Sequence, residues 1–225
     1  MSLAITTINA GSNCYLVKTG AGFILIDTGV ASKRTALEKV LASAGCGLGD
    51  LKLVVLTHGD SDHADNGAYL REKYGTQIAI HQDDAGMVER GDMSLNRKAH
   101  PDGITGIGRV IMLVGKLMPL LKPVSFDTFS PDVFLEDGQS LSAYGFDATV
   151  LQLPGHSKGS IGVLTSEGDL FCGDLIYNFF KPKQVWIDDL AAANASVERL
   201  KTLNVRTVYP GHGKPFPWEA FARKH

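Results

Sequence analysis

The stretch Leu51-Lys52-Leu53-Val54-Val55-Leu56 runs directly into Thr57-His58-Gly59-Asp60-Ser61-Asp62-His63. The first part is a continuous apolar run broken only by Lys52. It reads as a strand covered on both faces, since a half-exposed strand would alternate apolar and polar residues. The second part packs histidines and aspartates into one tight loop at the end of that strand. Imidazole and carboxylate are the usual ligands of zinc, iron and manganese. A single loop lets several of them converge with little chain-closure cost.

Working outward, a helix is expected from about Asn66 to Tyr74, stopped by Gly75, and then a strand Gln77–His81. Upstream, Leu16-Val17 and Phe23–Ile26 flank Thr19-Gly20-Ala21-Gly22 as a hairpin, and Asp27-Thr28-Gly29 closes its second strand. A helix follows from Ser32 as N-cap to Ala44, with Leu37, Val40, Leu41 and Ala44 on one face. Gly11-Ser12-Asn13-Cys14 reads as turn chemistry. Downstream, strands are expected at 148–153, at Ile161–Thr165 paired with Leu170-Phe171, and at Arg206–Tyr209. A last helix spans about Asp189 to Leu203 with Leu190, Ala193, Val197 and Leu200 inward.

Hairpin strands at the start and alternating strands and helices later fit neither a purely parallel sheet nor a pure sandwich. Two mixed sheets face to face with helices outside fit better. The expected class is α/β (α+β in its mixed sheets). One domain over 1–225 is expected, with a helical insertion around 85–125. Within it, residues 103–121 are strongly apolar but carry Arg109, Lys116 and interior glycines, a poor membrane span. The spacing of Ile104, Ile107, Ile111, Val114, Met118 and Leu121 gives a helix face. That face suits a core-packed helix, an apolar lid, or a membrane-surface or homodimer contact.

With 44% apolar residues in 225 and a net charge of only −2, a sizeable core is available and nothing suggests a nucleic-acid surface. Cys14, Cys46 and Cys172 are odd in number and irregularly spaced, which argues against a disulfide framework. The N-terminal residues lack a signal-peptide pattern. A cytoplasmic protein without stable membrane insertion is the expectation.

Three more loops carry the same chemistry: Pro154-Gly155-His156, Cys172-Gly173-Asp174 and Pro210-Gly211-His212-Gly213. A lone histidine at a strand end is more often a surface or core residue than a ligand. Four of the chain's seven histidines, however, fall in glycine-flanked loops after strands. The joint pattern is far less expected by chance than any one member. His81, His100 and His225 lack such company. Cys172 suits a small buried hydrophobe, and Ser157 a loop hydrogen bonder.

In these motifs and their order the chain resembles the metallo-β-lactamase superfamily. The resemblance rests on Asp27-Thr28-Gly29, the His58–His63 loop, Pro154-Gly155-His156-Ser157, Gly173-Asp174 and Pro210-Gly211-His212-Gly213. It implies a four-layer αββα sandwich and two divalent metal ions, with zinc first and iron or manganese as options. By position, His58, His156 and residue 60 would bind one ion, and Asp62, His63 and His212 the other. Asp174 would bridge them. Asp27 would orient a ligand histidine. The implied activity is that of a metal-dependent hydrolase using a metal-bound hydroxide on a small ester, thioester or lactone, with Asp62 also handling a proton. An iron-dependent redox enzyme on the same ligands and a non-catalytic metal-binding homologue are the alternatives.

One position departs from the family. Its usual motif is His-x-His-x-Asp-His, and here the second histidine is Asp60. Aspartate is shorter than histidine and brings a charge. Two divalent ions with three carboxylates leave one unit of positive charge, where a histidine at 60 would leave two. Carboxylate also tilts preference towards iron or manganese. Asp60 either ligates, falls short and leaves one ion, or marks a relic site. The first is the working expectation.

Overall fold

In a computed structural model of the chain, residues 3–98, 101–104 and 127–223 are described. Thirteen strands occur among them. β1 (Ala4–Ala10), β2 (Ser12–Thr19), β3 (Gly22–Ile26), β4 (Leu51–Val55), β5 (Gln77–His81) and β7 (Val133–Leu135) form one sheet in that order. β1, β2 and β3 pair antiparallel, while β3–β4, β4–β5 and β5–β7 are parallel. The second sheet runs β13 (Phe216–Pro217), β12 (Thr207–Pro210), β10 (Asp169–Gly173), β9 (Ile161–Thr165) and β8 (Ala148–Gln152). It too is mixed, since β10 and β12 are parallel and the other pairs antiparallel. β6 (Gly103–Ile104) and β11 (Trp186–Ile187) form a separate small ribbon.

The layers follow from alternation along the strands. Tyr15, Val17, Ile24, Ile26, Leu53 and Val55 point from the first sheet onto Val150, Ile161, Val163 and Phe171 of the second. The residues between them, Cys14, Leu16, Leu25 and Val54, face the other way. There they meet Leu37 and Leu41 of α1 (Arg34–Ser43) and Leu70 of α3 (Gly67–Tyr74). On the far side Leu170, Cys172 and Val208 pack against Ala193, Val197 and Leu200 of the helix Leu190–Lys201. This is the four-layer αββα sandwich that the family resemblance implies, and it agrees with the order of elements. β4 has both faces covered because the second sheet packs on Leu53 and Val55 while α1 and α3 pack on Leu51 and Val54, with only Lys52 reaching solvent.

Several local expectations are corrected. The edge strand β1 is unforeseen, because five of its seven residues are exposed or half-exposed and polar Thr6, Thr7 and Asn9 dilute its pattern. Gly11 alone makes the β1–β2 turn, at φ 102°, and Ser12–Cys14 already belong to β2. α1 starts at Arg34, after a 3-10 turn at Ala31–Lys33. Leu190 is 41% exposed, since it opens its helix beside the N-cap Asp189, outside the packed turns. Within the expected insertion, α4 (Gln82–Arg90) is helical and Gly103-Ile104 is a strand. The helix face read from Ile107 to Leu121, and with it the lid and homodimer readings, lies outside the described residues. Among the described residues no helix is long and apolar enough to cross a membrane.

Candidate metal centre

Each of the four motif loops begins where a strand ends, and all four open towards the same place. His58, Asp60, Asp62 and His63 follow β4, the last two on the short helix α2 (Ser61–Ala64). His156 follows β8, Asp174 follows β10, and His212 follows β12. His58, His63, His156 and Asp174 are buried. One ligand atom from each of His58, His156 and Asp174 lies within 4.8 Å of the other two, and the same holds for Asp62, His63 and His212.

Asp60 joins the first group. Its Oδ2 is 3.0 Å from His156 Nε2 and 3.5 Å from His58 Nε2. It occupies the N-cap of α2 yet makes no side-chain cap hydrogen bond, the interaction for which aspartate is favoured at that position. Asp174 stands between the groups: Oδ1 is 3.4 Å from His63 Nε2, and Oδ2 is 3.4 Å from His212 Nε2 and 4.0 Å from His156 Nε2. His212 Nε2 is also 3.1 Å from Asp62 Oδ2. Most of these separations are close to the roughly 3.3–3.4 Å edge of a tetrahedron built on metal–ligand bonds of about 2.0–2.1 Å.

The partners on the far side of each ring decide what faces inward. His63 Nδ1 donates to Asp27 Oδ2 at 2.8 Å, and His156 Nδ1 donates to the Trp186 carbonyl at 2.7 Å. Thr57 Oγ1 donates to Asp27 and therefore accepts from His58 Nδ1, 3.0 Å away. With Nδ1 protonated, the neutral ring turns its Nε2 lone pair into the cluster. His58 Nε2, His63 Nε2 and Asp174 Oδ1 are buried there with no hydrogen-bond partner. Lone pairs facing carboxylate oxygens need a cation between them, so the donor set fits divalent metal ions. Where none is bound, protons take that role: burial alone would lower the pKa of His63, but the charges of Asp174, Asp27 and Asp62 raise it well above normal. His212, whose burial is likewise outweighed by Asp174 and Asp62, is pushed up to about 9. Burial disfavours ionised Asp60 and Asp174, yet the surrounding histidines, and Arg97 for Asp60, hold both well below the usual carboxylate range.

The scaffold under these ligands is itself ordered. Asp27 sits at φ 59°, an unfavourable conformation for a non-glycine residue, and is held there by Thr57 N at 2.8 Å, Thr57 Oγ1 and His63. Gly211 is required because a Cβ there would fall 2.1 Å from Asp174 Oδ1 and 2.7 Å from His63 Cε1.

Sequence reasoning missed five residues that fix the site. Tyr177 donates to Asp174 Oδ2 at 2.6 Å and stacks on His212 at 7° between planes. Asn13 Nδ2 donates to the carbonyls of Pro210 and Gly213, which bracket His212, and Ser12 Oγ donates to the Asp62 carbonyl. Buried Asp84 accepts from Gly59 N, Ser157 Oγ and Gly159 N, tying the His58 and His156 loops together. Arg97 contacts Asp60 and the His156 carbonyl. None belongs to a recognisable motif, and Asn13 had been read with its neighbours as a turn. Of the other candidates, Ser157 is the loop hydrogen bonder expected, and His81 caps α4 through Nδ1. Cys172 faces the outer helix layer with its thiol pushed up to about 12 by burial.

Comparison with known proteins identifies the family. The model of the metallo-β-lactamase superfamily matches residues 9–212. The chain is 30% identical over 131 residues to hydroxyacylglutathione hydrolase GloC of Haemophilus influenzae, covering 57% of this chain and 51% of that protein. It is 26% identical over 229 residues to human acyl-coenzyme A thioesterase MBLAC2, covering 94% and 76%. Among solved structures, TTHA1623 in a di-iron-bound form is 27% identical with a TM-score of 0.69, covering 98% of this chain and 97% of that one. The chain spans about half the length of the first curated relatives it matches.

Proposed function

Because the chain belongs to the metallo-β-lactamase superfamily, we propose that it is a metal-dependent hydrolase of a small ester, thioester or lactone. The observation that carries this reading is the convergence of seven side chains from four loops, with buried Nε2 and carboxylate atoms left unpartnered at their centre. His58, Asp60 and His156 would hold one divalent ion, Asp62, His63 and His212 the other, and Asp174 both. Bound there, such ions supply Lewis acidity towards a carbonyl oxygen and lower the pKa of a coordinated water.

The rest is done by the chain. Asp27, Thr57 and the Trp186 carbonyl fix ring orientation and tautomer, which raises ligand basicity. Asp62, the most exposed of the three central carboxylates, stands where its Oδ2 can take a proton from an attacking water and pass it to a leaving group. A cavity of about 220 Å³ lined by Asp60, Met93, Arg97, Pro101, Trp186 and Asp188 opens beside the first ligand group. Its size suits a small acyl group rather than a polymer. The names of GloC and MBLAC2, a hydroxyacylglutathione hydrolase and an acyl-coenzyme A thioesterase, favour the thioester among the three. Zinc is the proposed metal. Iron is the second reading, favoured by the carboxylate at position 60 and by the di-iron form of TTHA1623. Three buried, unpaired cysteines suit the reducing cytoplasm.

The test is hydrolysis of an ester, thioester, lactone and phosphodiester panel by metal-loaded protein, with dioxygen uptake recorded alongside. Thioester turnover that vanishes on chelation and returns with zinc is the expected outcome. Dioxygen uptake by the iron form without hydrolysis would replace this reading with the redox one.

A further inference from the structure

Asp60 has a partner that its motif gives no hint of. After α4 the chain turns through Asp92, whose Oδ1 accepts from Ser94 N at 2.9 Å, and runs back across the mouth of the centre. It is anchored on both sides of Arg97, by a side chain before it and by the backbone after it. Asn96 Nδ2 donates to the Asp83 carbonyl at 2.8 Å, and Lys98 N donates to both carboxylate oxygens of Asp188 at 3.0 Å. Between these anchors the Arg97 side chain, 13% exposed, reaches inward. Nη2 donates to Asp60 Oδ1 at 2.5 Å, and Nη1 donates to the His156 carbonyl. One planar group thus bridges two of the loops that carry the first ligand group.

The division of Asp60 between its oxygens is the informative part. Oδ1 is taken by the guanidinium, while Oδ2 is left facing His58 Nε2 and His156 Nε2. An aspartate is too short and too free in its last torsion to stand in for an imidazole by itself. A fixed fork on one oxygen removes that freedom and aims the other. It also removes the charge difference: a carboxylate paired with a guanidinium is neutral overall, as a histidine ligand is. The pair explains why Asp60 makes no capping bond to its own helix.

We propose that Arg97 is a positioning residue for Asp60, and that the Asp60–Arg97 pair together does the work of a single ligand histidine in the first metal subsite. This rests on the reading of the cluster as a two-ion centre. It implies that positions 60 and 97 are exchangeable only together. Asp60→His alone would leave a mostly buried guanidinium without its carboxylate, and Arg97→Met alone would leave a carboxylate without its guide.

The test is a competition titration of the metal-free full chain with cobalt(II), reading stoichiometry, affinity and the visible d–d spectrum, for wild type, Arg97→Met, Asp60→His and the double variant. Wild type is expected to bind two equivalents. Arg97→Met should weaken one of them by about 10–100-fold and leave the other unchanged. The double variant should bind two equivalents tightly again and better than Asp60→His. The sign decides the matter, because a guanidinium acting only through its charge repels a cation, so that its removal would tighten binding. Equal or tighter binding of both ions by Arg97→Met overturns the proposal, as does a double variant no better than Asp60→His. Should Arg97→Met fail to fold, the double variant, which strands neither charge, carries the test. A wild type that binds one equivalent or none overturns the two-ion reading itself, an outcome distinct from failure of the variants alone.

Discussion

Asp27 Oδ2 lies 2.8 Å from His63 Nδ1, and both residues are buried. The aspartate belongs to the end of β3 and the histidine to α2, so this one contact fixes the first motif loop on the central sheet. The backbone strain at Asp27 is tolerated because three donors, Thr57 N, Thr57 Oγ1 and His63 Nδ1, converge on its carboxylate. Asp27→Asn keeps the shape but must turn an amide N–H towards one of these donors. It should weaken binding of one metal equivalent by about 10–100-fold with the fold intact. Metal titration and circular dichroism check this, and unchanged affinity of both ions would argue that Asp27 is only structural.

Tyr177 offers a gentler perturbation. Tyr177→Phe keeps the ring stacked on His212 and removes only the hydroxyl that donates to Asp174 Oδ2. Among the described residues, Asp174 then loses its only side-chain donor outside the histidines of the cluster. Stability should fall by about 1 kcal/mol, and affinity for both ions should drop together, since Asp174 stands between the groups. Loss confined to a single ion would assign Asp174 to one site.

The metal-free protein should show a pH signature above neutrality. Burial alone would lower the pKa of His212, but the Asp174 charge and hydrogen bonds to Asp174 and Asp62 raise it to about 9. A raised folded-state pKa stabilises the protein fully below the unfolded value of roughly 6.5, and that contribution is lost as pH climbs through about 9. His63 shifts in the same direction. The melting temperature of chelated protein is therefore expected to fall between about pH 6.5 and pH 9, by roughly 2–4 °C per kcal/mol lost in a chain of this size. Metal loading within that window should release protons, because an ion held by His63 and His212 would displace those on their Nε2 atoms. A flat melting profile with no proton release would contradict the assignment.

Gly211 makes a steric prediction. A methyl group at this position would sit 2.1 Å from Asp174 Oδ1. Gly211→Ala must push Asp174 or the His212 loop aside, at a cost of about 1–3 kcal/mol, and should lose both metal equivalents. Calorimetry with metal analysis tests this, and an alanine variant that still binds two ions would show that the loop has room to spare.

Much of this arrangement was legible in the sequence, for identifiable reasons. Strand β4 announces itself by the apolar run 51–56, broken only by Lys52, and the candidate ligand loops by histidines and aspartates beside glycine at strand ends. The residues that hold the ligands announce nothing. Asn13, Tyr177 and Asp84 act over 197, 3 and 75 residues of chain respectively, each through one polar group of an ordinary type. Arg97 lies in a segment with neither helical nor strand periodicity, and only the fold brings it to Asp60. Leu190 was misplaced because helical spacing cannot say where packing begins along a helix. β1 was missed because an edge strand need bury little.

The central claim is that this centre holds two divalent ions. Equilibrium dialysis of the full chain against zinc, followed by elemental analysis, tests it most directly. Two equivalents per chain are expected, falling towards one in His58→Ala and in His212→Ala. One equivalent or less in the folded wild-type protein would contradict the account.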